Sequence, residues 1–174
     1  NLTAPMRVNC GKISHSRIFW GDSAWAVEND WHNRSLRETQ LRDRNQNINP
    51  GQSSSRFALS STSTWSTGVH EPAGIVQVEG STRRARDFSV MWQIEHNGPW
   101  EWEVGEDDPG LHISAFGPEF QDHQWYTQLG EGNDSESVPV SFAITSGDWQ
   151  QSVAEMTLQR RALRAAKARE LGRS

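Results

Sequence analysis

The sequence predicts an all-β fold, an antiparallel β-sandwich followed by one C-terminal α-helix, and three observations predict it. Apolar residues recur at every second position through most of residues 17 to 146, which is the period of a strand with one buried face. Gly, Asn, Asp and Pro separate these short runs, as antiparallel strands that turn back on one another require. After residue 146 the apolar spacing changes to that of a helix.

A chain of 174 residues suits one domain with a full core. Its mean hydropathy is −0.77. Nine Trp and six Phe nevertheless concentrate large apolar areas at few positions, so a core can still form.

Taken in order, strands are predicted at "RIFW" (17 to 20), "AWAVE" (24 to 28), "RFALSS" (56 to 61) and "GIVQVEG" (74 to 80). The polar segment "NRSLRETQLRDRNQNINPGQSSS" lacks a period and reads as a long excursion between two sheets. Phe88, Val90, Trp92 and Ile94 alternate with Ser89, Met91, Gln93 and Glu95. Leu111, Ile113 and Ala115 alternate in "GLHISAF", Trp125, Thr127 and Leu129 in "WYTQL", and Val138, Val140, Phe142 and Ile144 in the last run. Trp149, Val153, Met156, Leu163 and Ala166 then fall on one stripe of a helix over about 150 to 170. Asp148 is its expected N-cap, and Gln151 can complete a capping box. The domain boundaries are accordingly 1 to 147 for the sheets and 148 to 174 for the helix.

The segment "MWQIEHNGPWEWEVGE" (91 to 106) poses the chemical question. Read as a hairpin with a three-residue loop, His96, Asn97 and Gly98, it places Gly98 in a left-handed bulge and opposes Ile94 to Trp100, Trp92 to Trp102 and Val90 to Val104. Every large apolar group then shares one face, and Glu101 and Glu103 share the other. Those two carboxylates lie about 6.5–7 Å apart at the backbone, near the separation of a glycosidase pair. A glycosidase pair must flank the bond from opposite sides, whereas these leave one strand in the same direction. The expectation is therefore an inward indole core with a hydrated, idle acidic face, and no catalytic residue.

Charge and composition exclude further classes. A net charge of −5 and a pI near 5.7 provide no electrostatic footprint for nucleic acid or an anionic membrane. Cys10 is the single cysteine, which rules out an internal disulfide and fits a reducing compartment; with no apolar run of membrane-span or signal-peptide length, the expected localisation is cytoplasmic. His96, His112 and His123, with Asp107, Asp108 and Asp122, show no compact ligand spacing, so neither a metal nor any other cofactor is expected. "GDSAW" and "GPEF" lack the context of a nucleophile elbow. Sequons at Asn1, Asn33 and Asn133 are expected by chance in a chain rich in Asn, Ser and Thr. Trp100, Trp102 and Trp125 are the candidate sugar-stacking residues, because an indole face is an apolar platform for a pyranose ring.

Three segments carry a resemblance. "SSTSTWSTGVHEPAGIVQVEG" runs from a Ser/Thr-rich loop through a proline into an apolar strand. "DFSVMWQIEHNGPWEWEVGE" follows as strand, turn and strand. "HQWYTQLGEGNDSESVPVSFAITSGDWQQSVAEMTLQRRALR" supplies a Trp, Leu and Gly-Glu turn, a strand and a helix. In this order they resemble the N-terminal domain of bacterial α-galactosidases of the melibiase type, glycoside hydrolase family 36, over about residues 20 to 168. The resemblance implies a β-supersandwich of the galactose-mutarotase-like type standing before a (β/α)8 catalytic barrel, in an enzyme that hydrolyses terminal α-galactosides of oligosaccharides with retention. The family's nucleophile and acid/base are barrel aspartates, the first after a Lys-containing strand motif. Lys12 and Lys167 are the only lysines, and neither precedes such an aspartate. The family's Arg-Gly and Ser-Ser-His loop stands here as "STSTWSTG". The chain is thus expected to be a fragment, incomplete at its N-terminus and ending where the barrel would begin. It would shape the rim of an active site, with a homo-oligomer contact among its expected roles. Two other readings remain open, a free-standing carbohydrate-binding module and a purely structural sandwich domain.

Overall fold

The computed structural model describes residues 2–8, 16–39, 56–63, 68–80, 86–107, 110–132 and 134–172. Cys10, Lys12 and most of the polar segment from 40 to 55 lie outside the described residues.

The described strands, all paired antiparallel, form two sheets. One is four-stranded, in the order β1 (Leu2–Val8), β8 (Gly110–Phe116), β7 (Trp100–Asp107), β4 (Arg56–Ser61). The other is five-stranded, in the order β3 (Asp30–Ser35), β2 (Arg17–Asp22), β5 (His70–Val78), β6 (Phe88–Ile94), β9 (Val140–Ser146). A four-residue helix, α1 (Phe120–His123), follows β8, and a long helix, α2 (Trp149–Leu171), follows β9. No helix among the described residues is long and apolar enough to cross a membrane.

Period-2 patterning explains why the sheets face each other. Ile18, Val76, Val90, Trp92 and Ile94 from the five-stranded sheet share one buried cluster with Trp100, Trp102, Val104, Leu111 and Ile113 from the four-stranded sheet. The Trp92 and Trp102 rings meet edge to face across the core, with centroids 5.0 Å apart. Gly74 is opposite Trp92 in the ladder, and a Cβ there would sit 2.3 Å from the Trp92 ring. The indole therefore lies flat over a position that only glycine leaves open.

The five-stranded sheet is covered on its outer side as well. Phe19, Ile75, Met91 and Ala143 form a second cluster with Met156, and Trp149 and Val153 pack against it. This explains the run of buried residues Ser89, Val90, Met91 and Trp92 in β6, a central strand with layers on both sides. The helix begins at Asp148, whose carboxylate accepts from the Gln150 N–H. Gln151 makes no reciprocal bond to the Asp148 N–H, so only half of the expected capping box forms. Trp149, Val153 and Met156 pack on the sheet as expected, whereas Leu163 is 51% exposed and the helix beyond Arg160 faces solvent.

Several expectations are corrected. The chain between Ile94 and Trp100 does not close a hairpin, because β6 pairs with β5 and β9 while β7 pairs with β4 and β8. Gly98 is not left-handed; among the described glycines only Gly132 and Gly147 have positive φ. A flat ribbon carrying three indoles on one face would still need a second layer to cover them. Folding that ribbon over at residues 95–99 lets each half cover the other. "AWAVE" is a turn with Trp25 80% exposed, and the strand lies just after it at β3. "WYTQL" is irregular, with Tyr126 and Leu129 exposed. Ile144, near the end of edge strand β9, faces solvent. Strand β1 and helix α1 had no forecast in the sequence pattern.

Candidate functional site

The outward face of β7 carries the acids. Since Trp100, Trp102 and Val104 point into the core, Glu101 and Glu103 must point out of the four-stranded sheet. Their surroundings differ. Glu103 Oε2 accepts from Arg56 Nη1 at 3.0 Å across the β4 ladder, and His112 Nε2 on β8 lies 3.6 Å from its Oε1. The His112 contact, acting against the cost of burial and with help from Arg56, holds Glu103 below the ordinary glutamate range.

Glu101 is less wet than expected. It is only 8% exposed, and its carboxylate makes no hydrogen bond among the described residues. Beyond β8 the chain passes Gly117 and Pro118 and turns back beside Glu101, which pairs with Phe116 at the end of that strand. Glu119 caps α1, its Oε1 accepting the Asp122 N–H at 2.8 Å. Gln124 then adopts φ 53° in a left-handed closure, its N–H returning to the Phe120 carbonyl and the Trp125 N–H to the Glu119 carbonyl. The turn thus brings carboxylate oxygens of Glu119 and Asp122 to within 4.8 Å of one from Glu101. Burial, followed by the Asp122 and Glu119 charges, pushes Glu101 up to about 7. The expected wet acidic face is corrected at this residue: a following loop covers it, and period-2 reasoning along one strand cannot foresee that.

A second concave site lies on the opposite layer, between α2 and the outer side of the five-stranded sheet. The cavity holds about 600 Å³, within the range of small-molecule sites. Phe19, Trp31, Met91 and Trp149 give it apolar walls. Polar atoms converge there too. Gln93 Oε1 and Arg160 Nε are buried without hydrogen-bond partners. Burial raises Glu71 above its ordinary range, opposed by a hydrogen bond with Ser23 and by the Arg160 charge. In the same sheet, Asp22 bridges His32 Nε2 at 2.7 Å and His70 Nδ1 at 2.8 Å, tying β2 to both neighbouring strands. Burial opposes ionisation of Asp22, but the two imidazole hydrogen bonds outweigh it and leave the carboxyl below its ordinary range.

The sequence-predicted platforms are placed differently from one another. Trp100 and Trp102 are wholly buried and offer no face to a sugar. Trp125 is 38% exposed, beside the α1 turn. The indoles that do line a cavity, Trp31 and Trp149, had no signal separating them from core positions. Asp108 and the Asp107 side chain lie outside what the structure describes; of the other histidines and aspartates considered as ligands, Asp122 alone enters the carboxylate cluster, while the Nδ1 of His123 accepts the Glu119 N–H. No protein-family model, curated protein or solved structure matches the chain.

Proposed function

We propose that this chain is a non-catalytic antiparallel β-sandwich domain of a retaining α-galactosidase, of the galactose-mutarotase-like supersandwich type, working in the cytoplasm beside a (β/α)8 barrel. The observation that carries the reading is the passage from β9 through Gly147 and Asp148 straight into the 23-residue helix α2. The first half of α2 is anchored on the sheet and its second half stands clear of both sheets, with Leu163 and Leu171 exposed. A helix packed on the sheet at one end and exposed at the other suits a lead into a neighbouring catalytic unit. The acids of β7 support a scaffold role, since Glu101 and Glu103 leave one strand on one side and cannot flank a glycosidic bond. In the full enzyme the barrel aspartates would form and hydrolyse a covalent galactosyl intermediate. This domain would shape the rim and contribute to an oligomer contact.

A second reading, a free-standing carbohydrate-binding module, is favoured by the cavity under α2, where indole walls meet unpartnered polar atoms. Such a lining could stack on the C–H face of a galactoside while hydrogen-bonding its hydroxyls.

One set of measurements separates them. The scaffold reading expects no release of nitrophenol from an aryl α-galactoside by the purified chain, no tryptophan fluorescence change with galactosides, and a reading frame continuing past Ser174 into a strand–helix series with a Lys-x-Asp motif. Turnover that follows the purified protein, or a stop codon directly after Ser174, would overturn it. Saturable fluorescence quenching by galactosides, lost in Trp31→Ala, would establish the binding module instead.

A further inference from the structure

We propose that Glu101, Glu119 and Asp122 form a binding site for a divalent cation of the calcium class, joining β7 to the turn that carries α1. Two observations support it, and neither depends on the galactosidase reading.

The first is the geometry. One oxygen from each of the three carboxylates lies within 4.8 Å of the others. Calcium binds oxygens at about 2.3–2.6 Å, so two of its ligands can stand about 5 Å apart; magnesium, at about 2.1 Å, draws opposed ligands to about 4 Å. The set is all oxygen, and a hard cation is its natural occupant. Glu119 can cap α1 and bind a cation together, because Oε1 accepts the Asp122 N–H and Oε2 accepts nothing. Asp122 is exposed, which leaves the outer side of the site open to water as further ligands.

The second is the isolation of Glu101. A largely buried carboxylate with no hydrogen bond or ion pair of its own is costly. Three other acids near the core have partners: Glu103 has Arg56, Glu106 has Arg37, and Glu95 has Ser141. Glu101 is as buried as Glu106, at 8% exposure, but directs its carboxylate at two further carboxylates. Arg56 sits on the adjacent strand but is committed to Glu103. A bound cation supplies the charge that this arrangement lacks.

The test is calorimetric titration of the whole chain, freed of metal by chelation, with calcium and in parallel with magnesium, manganese and zinc, paired with thermal unfolding. Calcium is expected to bind at one site with Kd on the order of 10⁻⁵ to 10⁻³ M and to raise the unfolding midpoint. Glu101→Gln and Asp122→Asn should each weaken binding roughly tenfold or more, through loss of ligand charge. Glu170→Gln, an exposed acid near the far end of α2 and outside the cluster, should bind as the native chain does. Glu101→Gln keeps the shape of the side chain and removes a buried charge, so it is expected to fold. Asp122 is exposed, so its replacement disturbs no packing. The proposal is overturned by the absence of heat and of a midpoint shift with calcium up to about 10 mM. It is equally overturned by unchanged calcium affinity in both variants, or by zinc binding more tightly than calcium.

Discussion

Trp102→Ala is expected to lower folding stability by about 3–5 kcal/mol, a large share of the about 5–15 kcal/mol typical of a domain. Trp102 is wholly buried at the place where the two layers meet. Its ring packs edge-on to Trp92 from the opposite sheet, with centroids 5.0 Å apart, and to Phe57 of its own sheet at 5.8 Å. Truncation removes an aromatic contact in each direction and leaves a void that rigid ladders on both sides cannot close. Trp102→Phe gives the sharper comparison. The indole N–H of Trp102 has no hydrogen-bond partner, so phenylalanine keeps much of the aromatic body and removes an unsatisfied donor. Its cost should be well below that of alanine, while Trp125→Ala, at a partly exposed position, should change stability by less than about 1 kcal/mol. Urea unfolding followed by circular dichroism measures all three. A Trp102→Ala protein as stable as the Trp125→Ala protein would remove the indole contact from its place as the joint between the sheets.

This core was readable in the sequence, but the strand pairing was not, and one physical reason covers both. Alternation at period 2 reports which face of a strand is apolar. It does not report whether the apolar neighbour is beside the strand in the same sheet or opposite it in another layer. Trp92 and Trp102 satisfy the same pattern either way, so the inward direction of Trp92, Trp100 and Trp102 was legible while their hairpin register was not. Helix α2 was read well because its start combines a change of period with the Asp148 cap. Its exposed second half was not, because Leu163 continues the apolar stripe with nothing of the described chain to cover it.

The carboxylate cluster lies further from sequence reach. Glu101 belongs to a strand, and Glu119 and Asp122 to a four-residue helix with a left-handed, non-glycine closure at Gln124. A helix of four residues leaves no periodic trace, and Gln is not a customary residue for that closure. Consequently nothing in the order of residues signals that the turn returns over β7. The cavity under α2 is hidden for a related reason: Trp31 reaches it from an edge strand with no buried position, and Trp149 from the first turn of the helix.

Glu101→Gln should remove the pH dependence that this turn imposes on the metal-free chain. The folded-state value of Glu101 is about 7, raised from an ordinary 4.5 by burial and then by the Asp122 and Glu119 charges. Between those two values the folded chain holds a proton that the unfolded chain has released, so folding stability falls as pH rises through the interval. The stability associated with the protonated group is fully present below pH 4.5 and lost above pH 7. At about 1.4 kcal/mol for each pH unit of displacement, and with some screening at a partly solvated site, the loss comes to about 2–3 kcal/mol. Glutamine has no proton to release. In chelator, Glu101→Gln is therefore expected to match the native protein near pH 4 and to exceed it by about 2–3 kcal/mol at pH 8. Glu71 shifts in the same direction, whereas Asp22 and Glu103 shift in the opposite one, but all three remain in both proteins, and the difference between the two unfolding curves isolates Glu101. Parallel native and variant curves from pH 4 to 8 would mean that Glu101 stays ionised and solvated, and the closed turn over β7 would have to be abandoned.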